Sequence, residues 1–273
     1  MPPVAIVAIV AIVAIAACAL AFAFFVVWLL QLRTCNANMI DPAWAAGIGM
    51  VAIFVAIAGT GAVANRIVVA IGGAAWGSRL TVHLWRRNYR KPEDPRYRQF
   101  RDNWGRSATR NLFWLFQLQA LTALLLAVAF FVPASSMQAA SRARILGAAA
   151  VWAVAVGGEA LADRQLARFI ADENHRGQVL SVGLWRYSRH PNYFFECLHW
   201  LAYTVLSIGL PWGWLTVTPP LLMAWLLMKV SGLPLLEARL AATRAGYSDY
   251  MRTTSPLIPW PPTRSASAHD ERH

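Results

Sequence analysis

The stretch Gly183-Leu-Trp-Arg-Tyr-Ser-Arg-His-Pro-Asn-Tyr-Phe-Phe-Glu196 is dense in groups that can do chemistry. Pro191 suits the first turn of a helix, where its missing N–H costs nothing. Arg186, Arg189 and His190 therefore crowd a helix N-terminus, whose free N–H groups and positive dipole end favour phosphate or carboxylate. Asn192, Glu196, His199 and Tyr203 follow at spacings of 4, 3 and 4, which puts a polar stripe on one face of the helix. The surrounding residues are apolar, and polar groups at membrane depth are costly and usually face a cavity. Interhelical hydrogen bonds and a snorkelling basic cluster are the structural alternative.

Arg79, His83, Arg86 and Arg90 form a second stripe with the same spacing. Arg79 should face a bound anion or a carboxylate such as Glu159 or Asp41. Glu159 and Asp163, four apart, could hold ribose hydroxyls or an amide, or pair with Arg79 or Arg87. Asp41 precedes Pro42 and reads as a helix N-cap with a possible catalytic use. Residues 88–101 interleave basic and aromatic side chains, as phosphate contact with adenine stacking would require; a solvated loop is the alternative.

These groups must be positioned by membrane helices. The 273 residues are 58% hydrophobic and 14% charged, with mean hydropathy +0.43, whereas soluble domains carry about 25% charged residues. The first 30 residues contain an uncharged run, 4–30, opening on a Val-Ala-Ile repeat. It reads as a lipid-facing anchor over 1–32; a signal peptide fits badly, since no basic residue precedes a run this long. Further spans are expected at 43–61, 67–85, 111–131, 145–161, 191–210 and 214–228, then a surface helix at 235–251 and a disordered polar tail from 263. The fold class is all-α, a polytopic bundle of about seven transmembrane helices in a single domain, 1–262.

The net charge is +12, concentrated in the connections. Residues 86–110 hold nine basic and three acidic side chains, and 163–189 hold five and three. With seven spans the positive-inside rule places both connections and the basic C-terminal region in the cytoplasm, with Arg142 and Arg144 on the wrong side. Basic residues that flank spans point to membrane orientation and an anionic ligand rather than to nucleic acid. Cys18, Cys35 and Cys197 form no C-x-x-C pair, and the six histidines form no metal motif. The runs Gly47-x-Gly49-x-x-Ala52 and Gly59-x-Gly61-x-x-Ala64 mimic a dinucleotide fingerprint but follow no strand, so they are expected to serve close helix packing.

The 183–196 segment resembles the signature of the DUF1295 family, bacterial relatives of steroid 5α-reductases. Asp41-x-x-Trp44, Trp76-Gly-Ser-Arg79-x-x-x-His83-x-x-x-Arg87, Glu93-Asp-Pro-Arg-Tyr97 with Trp104, and Pro234-Leu-Leu-Glu237 with Tyr247, Tyr250 and Pro259 are similar to other parts of its pattern. The resemblance covers 41–259. It implies a membrane enzyme that binds NADPH from the cytoplasmic side and passes hydride to the β-carbon of an enone in a hydrophobic, lipid-like substrate. Asn192 and Glu196 match positions that contact the cofactor; the cofactor-binding candidates it implies also include Arg87, Asp163, Arg168, Tyr187, Arg189, His190, Tyr193 and Tyr250. Steroid reductases polarise the ketone with a glutamate and a tyrosine. Here the second span lacks an acid and Leu84 stands in the tyrosine's place, so Asp41, His83 and Glu196 are the catalytic candidates. Isoprenylcysteine methyltransferases, which use S-adenosylmethionine, share Arg-His-Pro-x-Tyr, and they set the alternative activity; a non-catalytic lipid-binding protein is the third. Expected partners are the hydrophobic substrate and membrane lipids.

Overall fold

The computed structural model describes residues 3–230 and 233–263, and among them there is no strand. The polar tail beyond Thr263 lies outside the described residues. Eleven α-helices follow in order: α1 (Pro3–Thr34), α2 (Ile40–Ala58), α3 (Val63–Asn88), α4 (Pro95–Trp104), α5 (Ala108–Leu126), α6 (Val128–Ser135), α7 (Arg142–Ala171), α8 (Pro191–Ser207), α9 (Thr218–Trp225), α10 (Leu233–Thr243) and α11 (Tyr247–Thr253).

Six helical segments of the described residues are long and apolar enough to cross a bilayer: Val7–Thr34, Ile40–Ala58, Val63–Asn88, Pro95–Ser135, Arg142–Ala171 and Gly213–Val230. The remaining expected span, the sixth in chain order, is α8. Its 17 residues rise about 26 Å, at the short end of what spans a hydrocarbon core of about 30 Å. The protein is an integral membrane, all-α protein.

Several boundaries differ from the sequence expectation, each for a local reason. The fourth span breaks at Ala127 into α5 and α6, and Pro133 lies inside α6. The fifth runs ten residues past Leu161 to Ala171, because Asp163, Arg164 and Arg168 are ordinary helix-surface residues once the chain leaves the apolar layer. The seventh is a composite: a 3-10 turn, α9, and a π-helical turn at Leu226–Val230. The expected surface helix is two, parted at Gly246 with φ +77°, a left-handed conformation that glycine adopts without steric cost.

The helices group into two compact units. One takes the chain up to Ala148 with Tyr203–Pro219; the other takes Ala149–Ala202 and the chain from Pro220. In the first unit α2 and α3 pack most closely, because glycines face each other. A Cβ on Gly77 would stand 2.8 Å from the Gly49 Cα, and one on Gly73 would stand 2.3 Å from the Ala52 Cβ. Trp76, Ile48 and Val69 fill the seam, and Ala16, Leu20 and Phe24 of α1 are buried as well. The first helix is thus integrated: Trp28 donates to the Thr109 carbonyl at 3.1 Å, and Gln117 to that of Ala21.

In the second unit α7 packs on α8 through Gly158, where an added Cβ would fall 2.4 Å from the Phe195 ring. The turn Gly183–Arg186 is fixed to α7 by two bonds. Gln165 Oε1 accepts from the Leu184 amide at 3.0 Å, and the Trp185 indole donates to the Ala162 carbonyl at 3.2 Å.

Candidate functional site

The sequence candidates fall in both units. Asp41, His83 and Arg87 belong to the first; Asp163, Arg168, Tyr187, Arg189, His190, Asn192, Tyr193, Glu196 and Tyr250 belong to the second.

In the first unit Asp41 is not an N-cap. Met39 holds that position and Asp41 sits in the first turn of α2. Its carboxylate accepts from the Tyr97 hydroxyl at 2.9 Å and from Arg96 at 3.3 Å, and Arg87 stands 3.5 Å away. The carboxylate therefore ties α2 to α4 and to the end of α3. The connection 89–94 is held by hydrogen bonds to the chain between α1 and α2. Asn38 accepts the Asp94 amide at 2.7 Å and donates to the Pro92 carbonyl at 2.9 Å, while Asn88 donates to the Asn38 carbonyl at 2.9 Å. Glu93 accepts from the Ala37 amide at 2.8 Å and from Arg101 at 3.0 Å. Asp94 caps α4 by accepting the Arg96 amide at 2.9 Å. Burial opposes the ionisation of Asp94, but its hydrogen bonds and charge contact with Arg96 outweigh burial and hold the carboxyl below its ordinary range. His83 is half-buried on α3.

In the second unit the residues before α8 form one bonded cluster. Arg189 Nε and Nη2 donate to the two carboxylate oxygens of Glu237 at 2.8 and 3.2 Å, a two-point pairing. Arg189 Nη1 donates to the Met251 carbonyl at 2.7 Å and to that of Thr254 at 2.9 Å. His190 Nε2 lies 2.9 Å from Glu237 Oε1, and its ring stacks on Tyr193 with centroids 5.5 Å apart. The Tyr250 hydroxyl donates to the Trp185 carbonyl and, at 3.3 Å, to that of Ser188. The Arg189 amide donates to Ser255 O at 2.8 Å. The cluster therefore fastens α10, α11 and the chain after them to the start of α8.

The electrostatics follow from this geometry. Burial alone would raise the Glu237 pKa, but the hydrogen bonds from Arg189 and His190 outweigh it and hold the carboxyl below its usual range. Burial depresses His190, and Glu237 only partly offsets that effect. The neutral imidazole is then the donor from Nε2. Burial, reinforced by the negative charge of Glu237, pushes Tyr247 up to about 12.

Along α8, Glu196 is buried and accepts from the Trp200 indole at 3.0 Å, one turn on. His199 is buried and meets Trp200 edge-on at 5.0 Å. Asn192 is half-buried and accepts the Tyr193 amide at 3.1 Å. The polar stripe read from the spacing is present, and its deeper part is sealed from solvent. Asp163 is half-buried and Arg168 exposed, both on α7; Tyr187 is exposed. Its carbonyl accepts from the Trp260 amide at 2.9 Å.

Glu237 is the site residue that spacing did not bring forward. Its signal was a lone carboxylate in the apolar run from Leu233 to Leu240, on a helix that ends near the aromatic pair Tyr247 and Tyr250.

A family model, described as a protein of unknown function (DUF1295), matches residues 27–254. No curated protein matches the chain, and neither does any solved structure.

Proposed function

The chain belongs to the DUF1295 family, and on that premise we propose that it is an NADPH-dependent reductase of a carbon–carbon double bond, of the enone type, in a hydrophobic steroid- or lipid-like substrate. The observation that carries this reading is a buried carboxylate, Glu196, inside a membrane helix, one turn beyond Asn192. Such a group is expensive at that depth unless it serves a ligand or a fixed partner. Glu196 accepts from the Trp200 indole, and a carboxylate, with about four acceptor sites, can also take a hydrogen bond from a nicotinamide carboxamide. NADPH, when bound, supplies the hydride that ends on the β-carbon, while a proton completes the α-carbon.

The chain's own residues then have separate tasks. Asn192 and Glu196 orient the carboxamide. Tyr193, stacked on His190, flanks the approach. A hydrogen-bond donor at the substrate carbonyl would stabilise enolate charge, the logic of an oxyanion hole. Asp41, engaged by Tyr97 and Arg96, holds its helices together instead. The cofactor enters from the basic, cytoplasmic ends of the helices.

The test is thermal unfolding of the full chain in mild detergent with NADPH, NADH or S-adenosylmethionine. A ligand at 100 times its Kd stabilises by about 2.7 kcal/mol. NADPH should raise the midpoint, Glu196→Gln should reduce the shift, and enone lipids should consume NADPH in the presence of the protein. A second reading, methyl transfer from S-adenosylmethionine, draws support from one contact: Glu237 pairs with both Arg189 and His190. A shift with S-adenosylmethionine alone would replace the first reading with the second. No shift with any of the three would point to a lipid-binding protein.

A further inference from the structure

The two arginines of the 183–196 motif differ in what they hold. Arg189 is buried and makes four hydrogen bonds to Glu237 and two carbonyls. Arg186 is exposed, and among the described residues no hydrogen bond or ion pair engages it. It lines a cleft of ≈ 420 Å³ in the second unit, together with Ser181, Gly183, Tyr250, Thr253 and Thr254. That volume lies in the range of small-ligand sites, about 300–1,000 Å³. Arg186 is the one charged residue among the lining residues, and no carboxylate faces it there.

The walls of the cleft are fixed without a ligand. Gly183 turns at φ +62°, and the turn is bonded to α7 through Gln165 and Ala162. Tyr250 bonds across to the Trp185 and Ser188 carbonyls, joining the turn to α11. The Thr263 amide donates to Thr253 O at 3.0 Å, which holds the chain after α11 against its wall. A rigid site loses little entropy on binding.

We propose that this cleft is a phosphate subsite and that Arg186 is its specificity-determining residue. The planar guanidinium presents a fork of donors matched to phosphate oxygens, and the Ser181 hydroxyl adds another donor. The recognised chemistry is a phosphate monoester, with two sources: a nucleotide or a lipid headgroup. The nucleotide assignment rests on the reductase reading, and there the group is the 2′-phosphate that distinguishes NADPH from NADH. The phosphate subsite itself does not depend on that reading.

The experiment titrates the full chain in mild detergent with NADPH, NADH, adenosine 2′,5′-bisphosphate and adenosine 5′-monophosphate, and in nanodiscs with or without phosphatidic acid. It uses the wild type, Arg186→Gln and Arg186→Lys. Arg186 is exposed, so both variants should unfold at the wild-type midpoint without ligand. The bisphosphate should bind more tightly than the monophosphate. Arg186→Gln should weaken the bisphosphate and NADPH by on the order of 10- to 100-fold and leave NADH unchanged; Arg186→Lys should lose less. If Arg186→Gln binds every phosphate probe as the wild type does, or the wild type binds none, the subsite is overturned. If the bisphosphate binds through Arg186 but neither dinucleotide does, the subsite stands and the reductase reading falls. A response to phosphatidic acid alone, lost in Arg186→Gln, also upholds the subsite and names the headgroup as the source.

Discussion

Arg189 and Glu237 show what a charged pair does at the edge of a membrane helix. Each is almost fully covered, with side-chain exposures of 9% and 12%, so neither charge tolerates loss of the other. Glu237→Ala should therefore destabilise by about 3 kcal/mol, the lower end of the range for a broken buried pair because solvent is close by. The pH dependence has a definite sign. Glu237 titrates below its ordinary 4.5 and His190 below its ordinary 6.5, so the folded state binds fewer protons than the unfolded chain. The contribution of His190 is complete above pH 6.5 and is lost as pH falls towards its depressed value; that of Glu237 goes below pH 4.5. Unfolding midpoints in detergent should fall with acidification, and Glu237→Gln should flatten the fall on its acid side. At this scale the sequence was half legible. Spacing along one helix exposed the stripe Asn192, Glu196 and His199, because helical geometry fixes those neighbours. It could not reveal that Arg189 meets a carboxylate 48 residues on, because no local spacing links the two.

Among the elements, the α2–α3 seam bears on the glycine patterns that mimic a nucleotide loop. Gly49 and Gly77 are there for backbone approach, as lipid-embedded helices require when no hydrophobic force draws them together. Gly77→Ala should cost about 1–3 kcal/mol by overpacking. Gly157 is the internal control: an added Cβ there meets nothing within 4 Å, so Gly157→Ala should leave stability unchanged or raise it by up to about 1 kcal/mol through helix propensity. Thermal unfolding of the two variants in the same detergent checks both. One of the two arginines that spoiled the charge asymmetry also finds its reason in the elements. Arg144 donates to the Ile208 carbonyl after the end of α8. Similarly, Arg66 donates to the Ala56 and Ile57 carbonyls, at 2.6 and 2.9 Å, at the end of α2. Cations at helix C-termini are favourable there whatever the side of the membrane. Helix limits were the least legible feature, since the continuation of α7 past Leu161 depends on local helix preference and not on hydropathy.

For the whole molecule, hydropathy carried most of the information because lipid imposes a single rule: backbone groups must be satisfied within the helix. Met50, Ile57, Ile71, Leu146 and Leu221 are each at least 65% exposed; in water such side chains would be a liability, and against acyl chains they are the expected surface. The orientation has a built-in reporter. Cys35 is exposed in the connection between α1 and α2, which is bonded to residues 91–93 of the basic connection 86–110. With Cys18 and Cys197 changed to serine, a membrane-impermeant maleimide should label Cys35 in inverted vesicles and not in right-side-out ones. The reverse labelling would move the basic ends, and the proposed cofactor approach, to the outside.

The Arg189 cluster also has a consequence for synthesis. The carbonyls and carboxylate that receive Arg189 lie 48, 62 and 65 residues downstream. During translation, α8 therefore enters the bilayer with the preceding arginine and histidine still lacking their partners, and the cluster closes only after the ribosome has passed Thr254. A chain cut short before residue 237 would therefore thread α8 into the membrane and leave Arg189 and His190 without their carboxylate.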